Sequence, residues 1–214
     1  MERILPYLLF VPLAYLLGAV PFGFLIARAR GIDIRTVGSG NIGATNVLRS
    51  VGKSWGILTL VLDALKGLLP ALGFPILART IFDLDDGSIM RVVCGCTAVL
   101  GHNYPVYLKF KGGKGVATTA GALIGIAPTA LLVGLITFAV VFGVSRMVAL
   151  GSISAAIVIP IASWWLYHGE NHLTPAVLTV LGILVIWRHR ANIGRILNGK
   201  ENRIEFRKQK SEKT

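Results

Sequence analysis

VATTAGALIGIAPTALLVGLITFAVVFGV, Val116 to Val144, decides the topology of this chain. As one helix it would be about 43 Å long at about 1.5 Å per residue, well beyond a hydrocarbon core about 30 Å thick. Pro128 stands near its middle, where it removes a backbone donor and crowds the preceding turn. The run is therefore read as two short spans. Five further apolar runs, 5–27, 54–78, 91–108, 147–167 and 173–187, bring the expected total to seven.

Charge agrees with that division. With seven spans, Arg28, Arg30, Arg35, Arg49, Lys53, Lys109, Lys111, Lys114, Arg146 and the nine Lys or Arg from Arg188 to Lys213 share one side. Only Arg3, Arg79 and Arg91 lie opposite. Merging the middle pair would place the basic C-terminal tail outside, against the positive-inside bias. The expected architecture is an all-α polytopic membrane protein of seven helices, N-terminus outside and C-terminus cytoplasmic. One membrane domain spans 1–199, and 200–214 is a charged, disordered tail.

Composition excludes a soluble domain: 54% of residues are hydrophobic, 15% are charged, and the mean hydropathy is +0.69. The first run contains Pro6, Pro12 and Pro21 and lacks the basic cluster of a cleavable signal, so it stays as a span. Cys94 and Cys96 sit inside an apolar run, offering neither a disulfide framework nor a zinc site. No metal or cofactor is expected.

Three polar segments gather on the cytoplasmic side. KFKGGKGVAT, Lys109 to Thr118, sets Lys109, Lys111 and Lys114 among Gly112, Gly113 and Gly115. Glycines let successive N–H groups turn toward one anion, lysines supply charge, and a helix starting near Val116 aims its dipole there. GHNYP precedes it and adds His102. A basic loop that only obeys the orientation rule needs the lysines but gives no reason for the glycines. VGSGNIGATNVLRS, Val37 to Ser50, contains GxGxxG without a surrounding βαβ unit, so a dinucleotide fold is rejected. Its glycine turn opens an interfacial helix with Thr45, Asn46 and Arg49 on the polar face and Ala44, Val47, Leu48 and Val51 toward lipid. Ser39 and Asn41 lie in the turn. WRHRANIGRILNG, Trp187 to Gly199, projects Arg188, Asn192 and Arg195 from one helical face beside His189.

SGNIGATNVLR, GHNYPVYLKFKGGKGVAT and RHRANIGRI, in this order and spacing, resemble the three cytoplasmic signature motifs of the bacterial acyl-phosphate:glycerol-3-phosphate acyltransferase family. The resemblance covers nearly the whole chain up to Gly199. It implies an inner-membrane enzyme of seven helices with its active site on the cytoplasmic face. Such an enzyme moves a fatty acyl group from acyl phosphate to the 1-hydroxyl of glycerol 3-phosphate, giving lysophosphatidic acid and phosphate.

Both implied substrates carry close to two negative charges, and at about 6 Å with an effective dielectric near 20 they repel by about 11 kcal/mol. Lys109, Lys111, Lys114, Arg49, Arg188 and Arg195 are the cations expected to offset it, with Gly112, Gly113, Gly115 and Thr118 in the phosphate loop. The acyl chain needs an apolar groove between helices. No Ser-His-Asp pattern is evident, so direct attack is expected. His189 orients the glycerol hydroxyl, Asn192 bonds nearby, and the proton leaves through His189, His102 or a phosphate oxygen. Ser39 as a covalent nucleophile is the minor alternative, and Ser39, Asn41, Thr45 and Asn46 otherwise bind substrate polar groups. Asp63, inside a span, is expected to pair with Lys66 three residues on. HGENH, His168 to His172, lacks the HExxH order of a zinc peptidase and is assigned no role.

Rival classes are an organic-anion transporter and an anionic-lipid-binding protein. A transporter needs access from both faces, whereas the polar machinery here gathers on one. Net charge +12 would suit nucleic acid, but orientation already accounts for it. The expected partners are the two substrates and the bilayer, with no nucleic acid, and the chain acts as a monomer.

Overall fold

The computed structural model describes residues 4–83, 87–167, 169 and 172–204, and the described chain is entirely helical. His168 and most of the tail lie outside it. Two broken helices lead. Pro21 separates α1 (Leu5–Ala19) from α2 (Phe22–Ala29), and a π turn at Leu69–Gly73, holding Pro70, joins α4 (Lys53–Leu68) to α5 (Phe74–Phe82). Between them sits the short α3 (Ala44–Ser50). Then follow α6 (Ser88–Asn103), α7 (Val116–Ile126), α8 (Pro128–Ser145), α9 (Val148–Tyr167), α10 (Leu173–Arg188) and α11 (Arg190–Leu197). Pro128 does divide its apolar run: Ala127 (φ −153°) links α7 to α8.

Four stretches are long and apolar enough to cross a membrane: Leu5–Ala29, Lys53–Phe82, Pro128–Ser145 and Val148–Tyr167. α10 and α11 pass the same test only when taken together, and the chain bends by 57° between them. Outward faces are apolar, with Leu8, Ile76, Leu132, Ile161, Trp165 and Val180 all exposed, as lipid contact requires.

Small residues set the packing. α1 lies along α6 and α4 along α7, while α9 packs between α8 and α10. A Cβ at Gly18 would strike the Ala98 backbone, one at Gly67 the Thr118 carbonyl, and one at Gly121 the Ala64 carbonyl. Without bulk at these points the backbones approach closely, the usual basis of helix association in lipid.

Two sequence expectations change here. Val47 does not face lipid: it is fully buried with Ala27, Ile34 and Ile42, and a Cβ at Gly56 would meet Leu48. The interfacial helix α3 is thus seated on α2 and α4 by its apolar stripe. The span expected over 91–108 ends as helix at Asn103, because Pro105 cannot continue it; a 3-10 turn at Val106–Leu108 follows. Lys109 and Phe110 then adopt left-handed conformations (φ 52° and 61°), which turns the chain tightly there.

Candidate active site

The three motif segments meet in one cleft of about 310 Å³. Ser39, Asn41, Thr45, Asn46 and Arg49 come to it from the first segment, His102, Lys114 and Gly115 from the second, and His189, Asn192 and Arg195 from the third.

A hydrogen-bonded chain crosses its floor. Lys114 Nζ donates to Asn192 Oδ1. Asn192 Nδ2 donates to Glu201 Oε1 at 2.9 Å, and Arg195 Nε to Glu201 Oε2 at 2.8 Å. Burial pushes the Lys114 ammonium down to about 8, with Glu201 opposing and Arg195, Arg188 and Arg49 adding to the fall. Its nearest carboxylate, Glu201, is linked to it through Asn192. Gly115 caps α7 at φ 80°, a conformation strained for any residue with a Cβ, and Gly115, Val116 and Ala117 put the positive end of that helix at the cleft.

His189 sits at the corner between α10 and α11, almost fully buried. Its Nδ1 lies 2.8 Å from the Val185 carbonyl, which can only accept, so Nδ1 carries the proton and Nε2 is left as the acceptor. Burial, then the Lys114 charge, pushes the imidazole down to about 4, so it is neutral at pH 7.

Asn46 turns out to be a scaffold residue. Its Nδ2 lies 3.1 Å from the Ile34 and Val37 carbonyls and 2.9 Å from that of Asn41, its two N–H groups shared among the three, while Oδ1 accepts the Ser39 N–H at 3.0 Å. Arg188, unlike Asn46, does not line the cleft. Its guanidinium donates to the carbonyls of Gly112 (2.7 Å) and Gly113 (2.6 and 2.9 Å) and lies over the Tyr104 ring. Gly112 and Gly113 pack under α6: a Cβ at Gly112 would strike the Asn103 carbonyl, and one at Gly113 the His102 ring. Thr118 is buried at the contact with α4, and Lys109 and Lys111 point into solvent.

Glu201 and Asn202 belong to the site, although the sequence assigns 200–214 to a disordered tail. The Asn202 carbonyl accepts from Arg49 at 3.2 Å, and Ile204 N–H donates to the Arg146 carbonyl at 2.9 Å. Only the alternation of Glu201 with nearby cations hinted at this. Asp63 also lines the cleft, with its Oδ1 2.8 Å from Lys66 Nζ. Lys66 in turn caps the Val20 carbonyl at the α1–α2 break, at 2.7 Å.

Leu135, Phe138, Val116 and Ala120 are shared between this cleft and an apolar chamber of about 80 Å³ among α7, α8, α9 and α10. Leu123, Leu131 and Leu178, part of a packed cluster, also line the chamber.

Residues 8–199 match the glycerol-3-phosphate acyltransferase family. The chain belongs to that family. A glycerol-3-phosphate acyltransferase of Syntrophotalea carbinolica is 47% identical, over 90% of this chain and 94% of its own, and one of Aquifex aeolicus is 44% identical, over 92% and 98%. The fold agrees with the crystal structure of PlsY (YgiH), an integral membrane glycerol 3-phosphate acyltransferase, in its glycerol 3-phosphate form. The TM-score is 0.80 at 41% identity, over 92% of this chain and 95% of that one. Its lysophosphatidic acid form gives 0.77 at 40% identity, with the same coverage. This family member is therefore a multi-pass membrane protein.

Proposed function

We propose that this protein transfers a fatty acyl group from acyl phosphate to the 1-hydroxyl of glycerol 3-phosphate, giving lysophosphatidic acid and phosphate. The observation that carries the reading is a cleft lined by Lys114, Arg49 and Arg195 that shares a wall, Val116, Ala120, Leu135, Phe138 and Ser152, with an apolar chamber, a pairing suited to two phosphate-bearing substrates of which one has an alkyl chain. Lys114, Arg49 and the α7 N-terminus hold phosphate, and Arg195 adds positive field from its ion pair with Glu201. Ser39, Asn41 and Thr45 bind polar groups at the rim.

The reaction is direct. The 1-hydroxyl oxygen attacks the acyl carbonyl carbon, the bond from that carbon to the bridging phosphate oxygen breaks, and phosphate leaves with the electron pair. His189 Nε2 accepts a hydrogen bond from the attacking hydroxyl and orients it. With a pKa near 4 the imidazole is a weak base, so the proton passes on to a phosphate oxygen. Acyl phosphate is already activated, and the protein contributes positioning and electrostatic stabilisation.

Seven crossings, with the cleft on the cytoplasmic face of the inner membrane, form part of this reading. What supports them is parity: if α6 and the short α7 are counted as crossings, two (α4–α5 and α6) separate the first motif from the second and four (α7 to α10) the second from the third, which lets all three meet in one cleft. The Ile204–Arg146 hydrogen bond sets the α8–α9 turn beside the same C-terminal segment, as two crossings after Lys114 require. The basic loops then share the cytoplasmic side.

Purified protein in detergent, given acyl phosphate and radiolabelled glycerol 3-phosphate, should form a lipid-extractable product. Absence of that product would overturn the reading. An acyl group trapped on Ser39, with turnover abolished by Ser39→Ala, would replace direct attack by an acyl-enzyme.

A further inference from the structure

Two buried groups in the cleft have no place in the mechanism above. Asp63 and His102, 2% and 4% exposed, both line it. His102 Nδ1 is buried without a hydrogen-bond partner among the described residues, and lies 3.7 Å from Asp63 Oδ1. That separation is too long for a direct hydrogen bond. The other edge of the ring is closed by Gly113, where a Cβ would collide with Nε2. Left unmatched, such a buried polar atom is costly, and a position of this kind at a cleft calls for an occupant when the site fills.

The chemistry narrows the occupant. Asp63 can only accept as a carboxylate, and its charge repels a second anion. Lys66, 2.8 Å away, already supplies the cation it needs. Both Asp63 Oδ1 and His102 Nδ1 are closed off at rest, so the occupant must part them; a neutral hydroxyl then suits the pair, because its O–H donates to the Asp63 carboxylate while its lone pair accepts from His102 Nδ1–H. The cations suited to phosphate, Lys114, Arg49 and Arg195, belong to other walls of the same cleft.

We propose that Asp63 and His102 form a hydroxyl-recognition floor that selects an acceptor carrying a second free hydroxyl, the 2-hydroxyl of glycerol 3-phosphate, besides the one that is acylated. This rests on the acyltransferase reading and adds acceptor specificity to it. Asp63 and His102 would touch the acceptor away from its reacting atoms, so their loss alters selection more than chemistry. A site that hydrogen-bonds a substrate hydroxyl discriminates strongly against the analogue lacking it, since its own polar groups are then left unpaired.

The test compares glycerol 3-phosphate with 3-hydroxypropyl phosphate, which lacks only the secondary hydroxyl. Both are offered to the full-length protein in detergent, with acyl phosphate as donor. The parent should favour glycerol 3-phosphate in kcat/KM by roughly 10- to 100-fold, the scale of one hydrogen bond to a charged group. His102→Gln should shrink that ratio. Asp63→Asn/Lys66→Met, which removes both members of the buried ion pair and avoids stranding a charge, should bring it near one by lowering only the glycerol 3-phosphate rate. A parent ratio near one would overturn the proposal and leave water as the occupant. Equal falls for both acceptors in both variants would also overturn it, making the pair a packing device. Acylation of neither acceptor by the parent would instead overturn the enzyme reading itself, a result distinct from either.

Discussion

Two glycine-rich loops flank the cleft, and they are held in opposite ways. The first, around Val37–Gly43, is self-contained: Asn46, on the helix that the loop itself opens, gathers three loop carbonyls and the Ser39 N–H. The second, around Gly112–Gly115, hangs from elsewhere. Arg188, some 75 residues on, grips the carbonyls of Gly112 and Gly113, and the backs of these glycines rest on His102 and Asn103 of α6. The contrast shows that glycine in the second loop serves close packing as well as anion binding. It also shows that the loop carrying Lys114 depends on how α10 sits against α6. Damage to the first loop should stay local, whereas damage to the second should report on helix packing.

The largest effect belongs to the one side chain of the second loop that enters the cleft. Lys114→Ala should lower kcat/KM by roughly 10²- to 10³-fold, the scale for losing a preorganised charged donor, with thermal stability little changed. A loss of under tenfold would remove Lys114 from phosphate binding. Next comes the keystone of the first loop. Asn46→Ala leaves buried backbone groups unpaired, and should cost about 2–4 kcal/mol in stability and roughly 30- to 100-fold in activity, with Asn46→Asp a poor rescue because it donates nothing to the three carbonyls. Unfolding in denaturant beside initial rates would show whether the two losses travel together. For the second loop, Arg188→Lys should lower activity by roughly 10- to 30-fold, mainly through KM. A lysine keeps the charge but cannot grip two carbonyls with a planar fork. Full rescue by lysine would mean that charge, rather than geometry, holds the loop.

The sequence shows the first loop's glycine turn and short helix, the break at Pro128 and the gathering of the motifs, because each is written in local residues or in span parity. It does not show what holds the loops. Asn46 reads as one more polar residue on a substrate face, and Arg188 as one more juxtamembrane cation, since their partners are backbone carbonyls that carry no residue identity. Glu201 is hidden for a different reason. It lies in a segment whose composition resembles a solvated tail, and its ties to Asn192 and Arg195, with the neighbouring Arg49–Asn202 contact, appear only once α11 bends 57° away from α10. Asp63 is legible as half of a buried pair, but its place in the cleft wall follows from how α4 packs on α7.

Titration separates the two loops again: burial also lowers Arg49 beside the first, but a guanidinium stays charged throughout, whereas Lys114 on the second titrates within reach. Lys114 loses its proton near pH 8 in the folded protein against 10.5 ordinarily. As pH rises past 8 the ammonium disappears, so KM for the phosphate-bearing acceptor should rise, by about tenfold at pH 9. Bound phosphate favours the charged amine, which moves the fall in kcat to higher pH than the fall in kcat/KM. Stability runs the other way: between about 8 and 10.5 the unfolded chain binds more protons at this site, so this lysine makes folding more favourable as pH rises. A parallel decline of activity and stability above pH 8 would exclude Lys114 as the group responsible.

The smallest effect is expected where the sequence alone argued for a large one. Lys109 and Lys111 share the loop with Lys114 and carry the same charge, yet both are exposed and neither lines the cleft. An exposed ammonium acts on a distant anion through water, where screening over about 8 Å removes most of the attraction at physiological salt. Lys109→Ala and Lys111→Ala should therefore change kcat/KM by no more than about twofold, and the double variant should remain close to the product of the two. Lys109 adds a separate signature, since its φ of 52° is strained for any side chain. Lys109→Gly should stabilise the turn slightly while leaving turnover intact, whereas a substrate-binding role would make glycine at least as harmful as alanine.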